Sequence, residues 1–230
     1  MCFSANASFS AGVVLTVIGV ATIKKVQHPS QIMFASIPLI FAVQQITEGV
    51  LWLALPKTSY PATQVSFTYI FLFFALVVWP LWVPLAILLL EKESIRKRVQ
   101  RYLVAAGFLV GLYFAWCLLK FPVQSNIVGY HVAYTLNFPP AFRNYSLVLY
   151  GLATIIAPFF SPIKRMWMLG VTIAVSFIIT AIFYEQYILS VWCFFASVIS
   201  ISVYLIMREI NNDYAADTSL FAASMNICRP

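Results

Sequence analysis

Charge is what this sequence has least of. Of 230 residues, 14 are Lys or Arg and 7 are Asp or Glu, so charged residues make up 9%, against about 25% in soluble domains. With 62% hydrophobic residues and a mean hydropathy of +0.90, the chain has too few polar groups to cover itself in water. Histidine is scarce too: His28 and His131 are expected on opposite sides of a membrane, which argues against a bis-histidine haem. Cysteine is limited to Cys2, Cys117, Cys193 and Cys228, and with two of these inside apolar runs they do not read as a disulfide framework. Missing altogether are a His-Glu-x-x-His zinc site, a Gly-x-Ser-x-Gly nucleophile elbow and a phosphate-cradling P-loop. The last apolar run lacks lysine, so no retinal Schiff base is expected there, and no nucleotide-driven pump either.

What the chain does contain is long, continuous apolar runs. They argue against a membrane β-barrel, whose segments alternate over about 10 residues. Aromatic residues at 17% and 12 prolines suit helices in lipid, where Trp and Tyr settle at interfaces and Pro is tolerated. Crossing a hydrocarbon core of ~30 Å at about 1.5 Å per residue takes some 20 residues. Seven runs reach or approach this: 8–23, 32–55, 66–90, 102–120, 146–161, 166–184 and 187–207. The expected fold is therefore all-α, a polytopic bundle of seven transmembrane helices over 1–210, with a polar, disordered cytoplasmic tail over 211–230. The first run reads as a retained span, because no basic stretch precedes it and Lys24 and Lys25 follow it.

Lys and Arg fall in alternate gaps. Lys24, Lys25, Lys92, Arg96, Lys97, Arg98, Arg101, Lys164, Arg165, Arg208 and Arg229 share one side, against Lys57, Lys120 and Arg143 on the other. By the positive-inside rule the N-terminus lies outside and the C-terminus in the cytoplasm. The basic stretch 91–101 is accordingly read as a cytoplasmic loop near anionic head groups, and no nucleic-acid partner is expected. Compact loops and the absence of an organelle address point to a bacterial cytoplasmic membrane. The longest connection, 121–145, is aromatic and weakly polar, and is expected to lie on the outer mouth of the bundle as a lid.

Polar groups inside spans are costly and normally face the bundle interior. The second run carries Gln44, Gln45, Glu48 and Trp52, spaced to share one helical face. Glu48 is the only acidic residue well inside a span, and burial there favours its neutral form, a hydrogen-bond donor or proton carrier. The alternative is structural: amide and tyrosine partners using Glu48 to join helices. His131, Tyr184-Glu185-Gln186, Trp192 and Cys193 are expected near the same outer side. With Cys2 they offer donors of the type that binds zinc, copper or iron, Cys2, Glu48 and His131 being the metal candidates. No local ligand spacing supports that set.

At Met1-Cys-Phe-Ser-Ala5, at Pro38-Leu-Ile-Phe-Ala-Val-Gln-Gln-Ile-Thr-Glu-Gly49 with Trp52, and at Trp192-Cys-Phe-Phe-Ala196, the chain resembles a family of small bacterial seven-span membrane proteins without an assigned activity. The resemblance implies the same fold and marks Cys2, Gln44, Gln45, Glu48, Trp52, Trp192 and Cys193 as site residues. Three function classes follow. One is a ligand or metal site in the outer half of the bundle, extending to a membrane-embedded hydrolase with a metal-bound water as nucleophile and Glu48 as general base. The second is a small-solute transporter of three-plus-one-plus-three topology, lined by Gln44, Gln45 and the Trp79-Pro80-Leu-Trp82 kink. The third is a seven-span sensor or structural partner, which would not need Glu48.

Overall fold

A computed structural model describes residues 4–139, 143–183, 189–190 and 195–227, with side chains from 145 in the fifth helix and to 212 in the last. The chain is mostly helical. In order come α1 (Ala5–Ile23), α2 (Pro29–Ala54), α3 (Pro61–Leu90), α4 (Ser94–Lys120), a hairpin of β1 (Val123–Val128) and β2 (His131–Leu136), α5 (Tyr145–Phe160), α6 (Met166–Phe183) and α7 (Ala196–Ile227). Among the described residues α1, α2, α3, α4 and α6 are long and apolar enough to cross a membrane, while α5 is a shorter apolar helix. Residues 184–188 and 191–194 of the expected sixth and seventh runs lie outside the described residues.

Small residues set how closely the first two helices approach. Ser4 caps α1 by accepting from the Ala7 amide at 3.2 Å. The buried residues that follow, Ser8, Gly12, Leu15, Gly19 and Thr22, repeat at three- and four-residue intervals and make one stripe. A Cβ on Gly12 would come within 2.8 Å of Ile46, and one on Gly19 within 2.5 Å of Leu39. From the other side Gly49 takes the ring of Phe9, 2.9 Å from where its Cβ would be. Lacking a hydrophobic drive between helices in lipid, such close backbone packing is what associates them.

α2 is buried over most of its circumference, a larger share than in any other of the long apolar helices. It is the central helix. Its first turn is held by Oε1 of Gln31, which accepts from the amides of Gln27 at 2.8 Å and His28 at 3.3 Å. Pro38, which lacks an amide hydrogen, breaks the helix regularity at Ser36.

α3 widens to a π-helical segment over Phe73–Val78, just before Pro80. The added residue absorbs the clash a proline ring makes with the preceding turn. α4 presses its Gly107-Phe-Leu-Val-Gly111 face onto that distortion. A Cβ on Gly107 would stand 1.9 Å from the Pro80 carbonyl oxygen, and one on Gly111 3.2 Å from that of Val77. α5 carries a second π segment at Leu152–Ile156, and Tyr150 on it donates its hydroxyl to the Ala75 carbonyl of the first at 2.7 Å.

Consecutive helices run in opposite directions, as their cross-contacts record. At one end the ammonium of Lys25 lies over the Tyr204 ring, Arg165 pairs with Glu209 at 2.6 Å, and Gln100 donates to the Ala157 carbonyl at 2.8 Å. Gln64 reaches the Ala54 and Lys57 carbonyls, both at 2.9 Å, at the other end. There the connection expected as an irregular lid is, over residues 123–136, an antiparallel hairpin. Its turn is Gly129-Tyr130, with φ +61° at Gly129 and no positive φ at Tyr130, the II′ geometry that puts glycine first. Thr68 and Ser125 share a 2.6 Å hydroxyl bond, and Phe71 stacks on Tyr134 with centroids 4.7 Å apart, fixing the hairpin to α3. α7 continues to Ile227, through residues read from sequence as a polar tail, and Asn211 donates to the Lys25 carbonyl where it passes α1.

Candidate functional site

Every polar side chain of the α2 stripe is inside the bundle. Gln44, Gln45 and Glu48 are fully buried and Trp52 is half-buried. Facing Gln44 across the helix pair is Trp79 of α3, whose indole N–H donates to Oε1 of Gln44 at 2.8 Å. An indole nitrogen is only ever a donor. The Gln44 carbonyl oxygen must therefore point to Trp79, and the amide NH₂ must point away from it. That Nε2 is buried and has no hydrogen-bond partner among the described residues. The indole N–H of Trp52 likewise donates to none of them.

Gln44 also borders a small cavity of about 50 Å³ among the helices. Ile37, Phe41 and Gln44 of α2 form one wall; Ala75, Trp79 and Val83 of α3, Tyr150 and Thr154 of α5, and Leu169 and Ile173 of α6 complete most of the ring. Phe41 stacks on Trp79 with centroids 4.0 Å apart, so the aromatic wall is rigid. Tyr150 spends its proton on Ala75, and Thr154 donates to the Tyr150 carbonyl at 2.8 Å. Among the described residues no Lys, Arg, His, Asp or Glu lines the space. Glu48 sits one turn from Gln44, about 6 Å along the axis, and next in sequence to Gly49, which packs on the Phe9 ring of α1.

His131 opens β2, paired with Val128. Strand alternation turns Val132 and Tyr134 to the helices and His131 to the other face, with Gln124, Asn126 and Thr135. It is half-buried there, and burial pushes its imidazole below the ordinary range. Cys2, Trp192 and Cys193, and with them the Tyr184-Glu185-Gln186 turn, lie outside the described residues. Among the described residues no group of three or more His, Cys, Asp or Glu side chains gathers as a metal cluster would. Phe41, Tyr150 and Thr154 carried no sequence signal as site residues, since an aromatic or Thr in an apolar run is ordinary core. The Gly107-x-x-x-Gly111 pair was the readable sign of the close contact behind them.

These observations define a helical, strongly apolar protein with several helices able to cross a membrane and a cavity among them. A family model described as "Family of unknown function (DUF6629)" matches residues 1–218, and the chain belongs to that family. No curated protein and no solved structure matches it.

Proposed function

We propose that this is a seven-span protein of a bacterial cytoplasmic membrane, N-terminus outside and C-terminus cytoplasmic, that binds a small molecule at the polar side chains of α2. The observation that carries the reading is the burial of Gln44, Gln45 and Glu48 within two turns of the most enclosed helix. Two amides and a carboxyl group are withdrawn from water on one helix, and polar or ionisable residues buried within apolar spans mark functional sites in lipid. Support for the topology comes from the contacts of Lys25 with Tyr204 and Arg165 with Glu209, which gather the basic gaps at one end, the end a cytoplasmic leaflet attracts. The hairpin then caps the outer end, above Thr68 and Phe71.

In the enzymatic version, Cys2, Glu48 and His131 would hold zinc, copper or iron, and the metal would supply an activated water. The described residues provide two of these donors, Glu48 on α2 and His131 on the outward face of the hairpin, so the ligand-binding reading is the better supported. Its test compares wild type with Glu48→Gln, each purified without a histidine tag and shown monodisperse in detergent. Solvent extracts are analysed by mass spectrometry and the protein by elemental analysis. The expected result is a near-stoichiometric organic compound or metal on wild type that Glu48→Gln loses. Equal retention by both, or none by either, overturns the proposal, and solute uptake by proteoliposomes would then put transport ahead.

A further inference from the structure

At the end of the bundle where Lys25 meets Tyr204, a cleft of about 360 Å³ opens between Arg165, which immediately precedes α6, and Leu205, Arg208, Glu209 and Asn212 of α7. The α7 residues are spaced i, i+3, i+4 and i+7, so they share one side of that helix. The volume lies within the range of small-molecule sites, about 300–1,000 Å³. We infer that this cleft binds a phosphate group through the guanidinium groups of Arg165 and Arg208. It shares no residue with the site proposed on α2.

Charge selects an anion. Glu209 is the one acidic side chain lining the cleft among the described residues. Its carboxylate is 13% exposed and lies 2.6 Å from Nε of Arg165, so one arginine compensates it. Arg208 is exposed and makes no ion pair among the described residues, which leaves the lining with a net positive charge. Donor geometry then selects phosphate. A guanidinium is a planar fork of N–H donors that meets phosphate oxygens in pairs, and the Asn212 amide adds neutral donors. Because Glu209 already holds Arg165 in place, less side-chain freedom is lost when an anion arrives. The surroundings favour a lipid as the carrier of the phosphate. Leu205 supplies an apolar contact, and Phe160 and Trp167, close to Arg165 in sequence, are exposed, as aromatic residues at head-group depth are. Basic pockets between helices at a cytoplasmic surface take phosphate head groups. A free phosphate ion has the same chemistry, and the experiment separates the two.

Dioleoyl phosphatidic acid and dioleoylglycerol differ only by the phosphate, and their binding to the full chain in detergent is measured by native mass spectrometry. Phosphatidic acid should bind in preference, and Arg208→Gln should weaken it about fivefold, the worth of one arginine at a head group. Arg208 is exposed, so this substitution leaves the fold intact. Arg98→Gln removes the same charge from an exposed position outside the cleft and should leave the preference unchanged. A preference that Arg208→Gln alone reduces assigns the site to a lipid head group. If neither lipid is preferred but inorganic phosphate raises the thermal midpoint of wild type and not of Arg208→Gln, the site takes the free ion. The inference is overturned if neither effect is seen, or if Arg98→Gln weakens binding as much as Arg208→Gln does, which would reduce it to general attraction between basic loops and anions. None of these outcomes involves Gln44, Gln45 or Glu48, so the reading of α2 stands or falls separately.

Discussion

The indole N–H of Trp79 donates to the side-chain oxygen of Gln44 at 2.8 Å, in a buried contact between two helices 35 residues apart in sequence. One bond thus orients an amide that the helix alone would leave free to flip. It also makes Gln44 and Trp79 a unit. Removing either should leave a buried group of the other unsatisfied, at about 1–3 kcal/mol. The double variant Gln44→Leu with Trp79→Phe should then be less destabilised than the sum of the singles, by a coupling of about 1 kcal/mol. Thermal unfolding of the four proteins in one detergent measures this, and strict additivity would show the bond to be energetically idle.

Glycine contacts rank a second set of variants. Gly107→Ala puts a methyl 1.9 Å from the Pro80 carbonyl oxygen, a backbone atom that cannot step aside, whereas Gly111→Ala meets Val77 oxygen at 3.2 Å. Overpacking typically costs about 1–3 kcal/mol, and Gly107→Ala should stand at or above the top of that range with Gly111→Ala well below it. Gly151→Ala meets nothing nearer than 3.9 Å and should be neutral or stabilising, since alanine gains up to about 1 kcal/mol over glycine in a helix. A thermal-shift series that fails to place Gly107→Ala last contradicts the close approach of α3 and α4.

Much of this architecture is legible in the sequence, and the reason is composition. The apolar runs at 8–23, 32–55, 66–90, 102–120 and 166–184 correspond to helices long enough to cross a membrane, because in lipid a long apolar run has almost no other solution. Burial of Gln44, Gln45 and Glu48 followed from their i, i+1 and i+4 spacing in such a run. The hairpin did not follow. Its Val-Gln-Ser-Asn-Ile-Val and His-Val-Ala-Tyr-Thr-Leu strands alternate imperfectly, and its one clear cue, Gly129 at the turn, is a single residue. The cavity was likewise beyond reach, because it is made by two π segments whose positions depend on Pro80 and on Gly107 pressing across from another helix.

Topology offers a third expectation. In a background freed of native cysteines, Lys57→Cys should react with a membrane-impermeant maleimide added to intact cells, and Lys164→Cys only after permeabilisation. Lys57 is at the end capped by the hairpin and Lys164 precedes Arg165, which pairs with Glu209 at the opposite end. The reverse labelling pattern would invert the proposed orientation, and labelling of both from outside would remove it.

The hairpin should respond to pH through His131. Burial lowers its folded-state pKa, below the ordinary value of about 6.5, so between the two values the unfolded state binds more protons and stability rises with pH. The contribution is therefore fully present above about pH 6.5 and is lost as pH falls through the folded-state pKa. Thermal midpoints should decline on acidification below that point in wild type, and His131→Gln should flatten the slope in this window. An unchanged slope in the variant would assign the acid sensitivity to another group.

The central claim is that buried polar groups of α2 are kept for a bound molecule, and a density map of the protein purified straight from its membrane tests it most directly. The account predicts continuous non-protein density between the helices against the buried polar side chains Gln44, Gln45 and Glu48 of α2. A bundle closed around these side chains, with only protein groups against them, would contradict it.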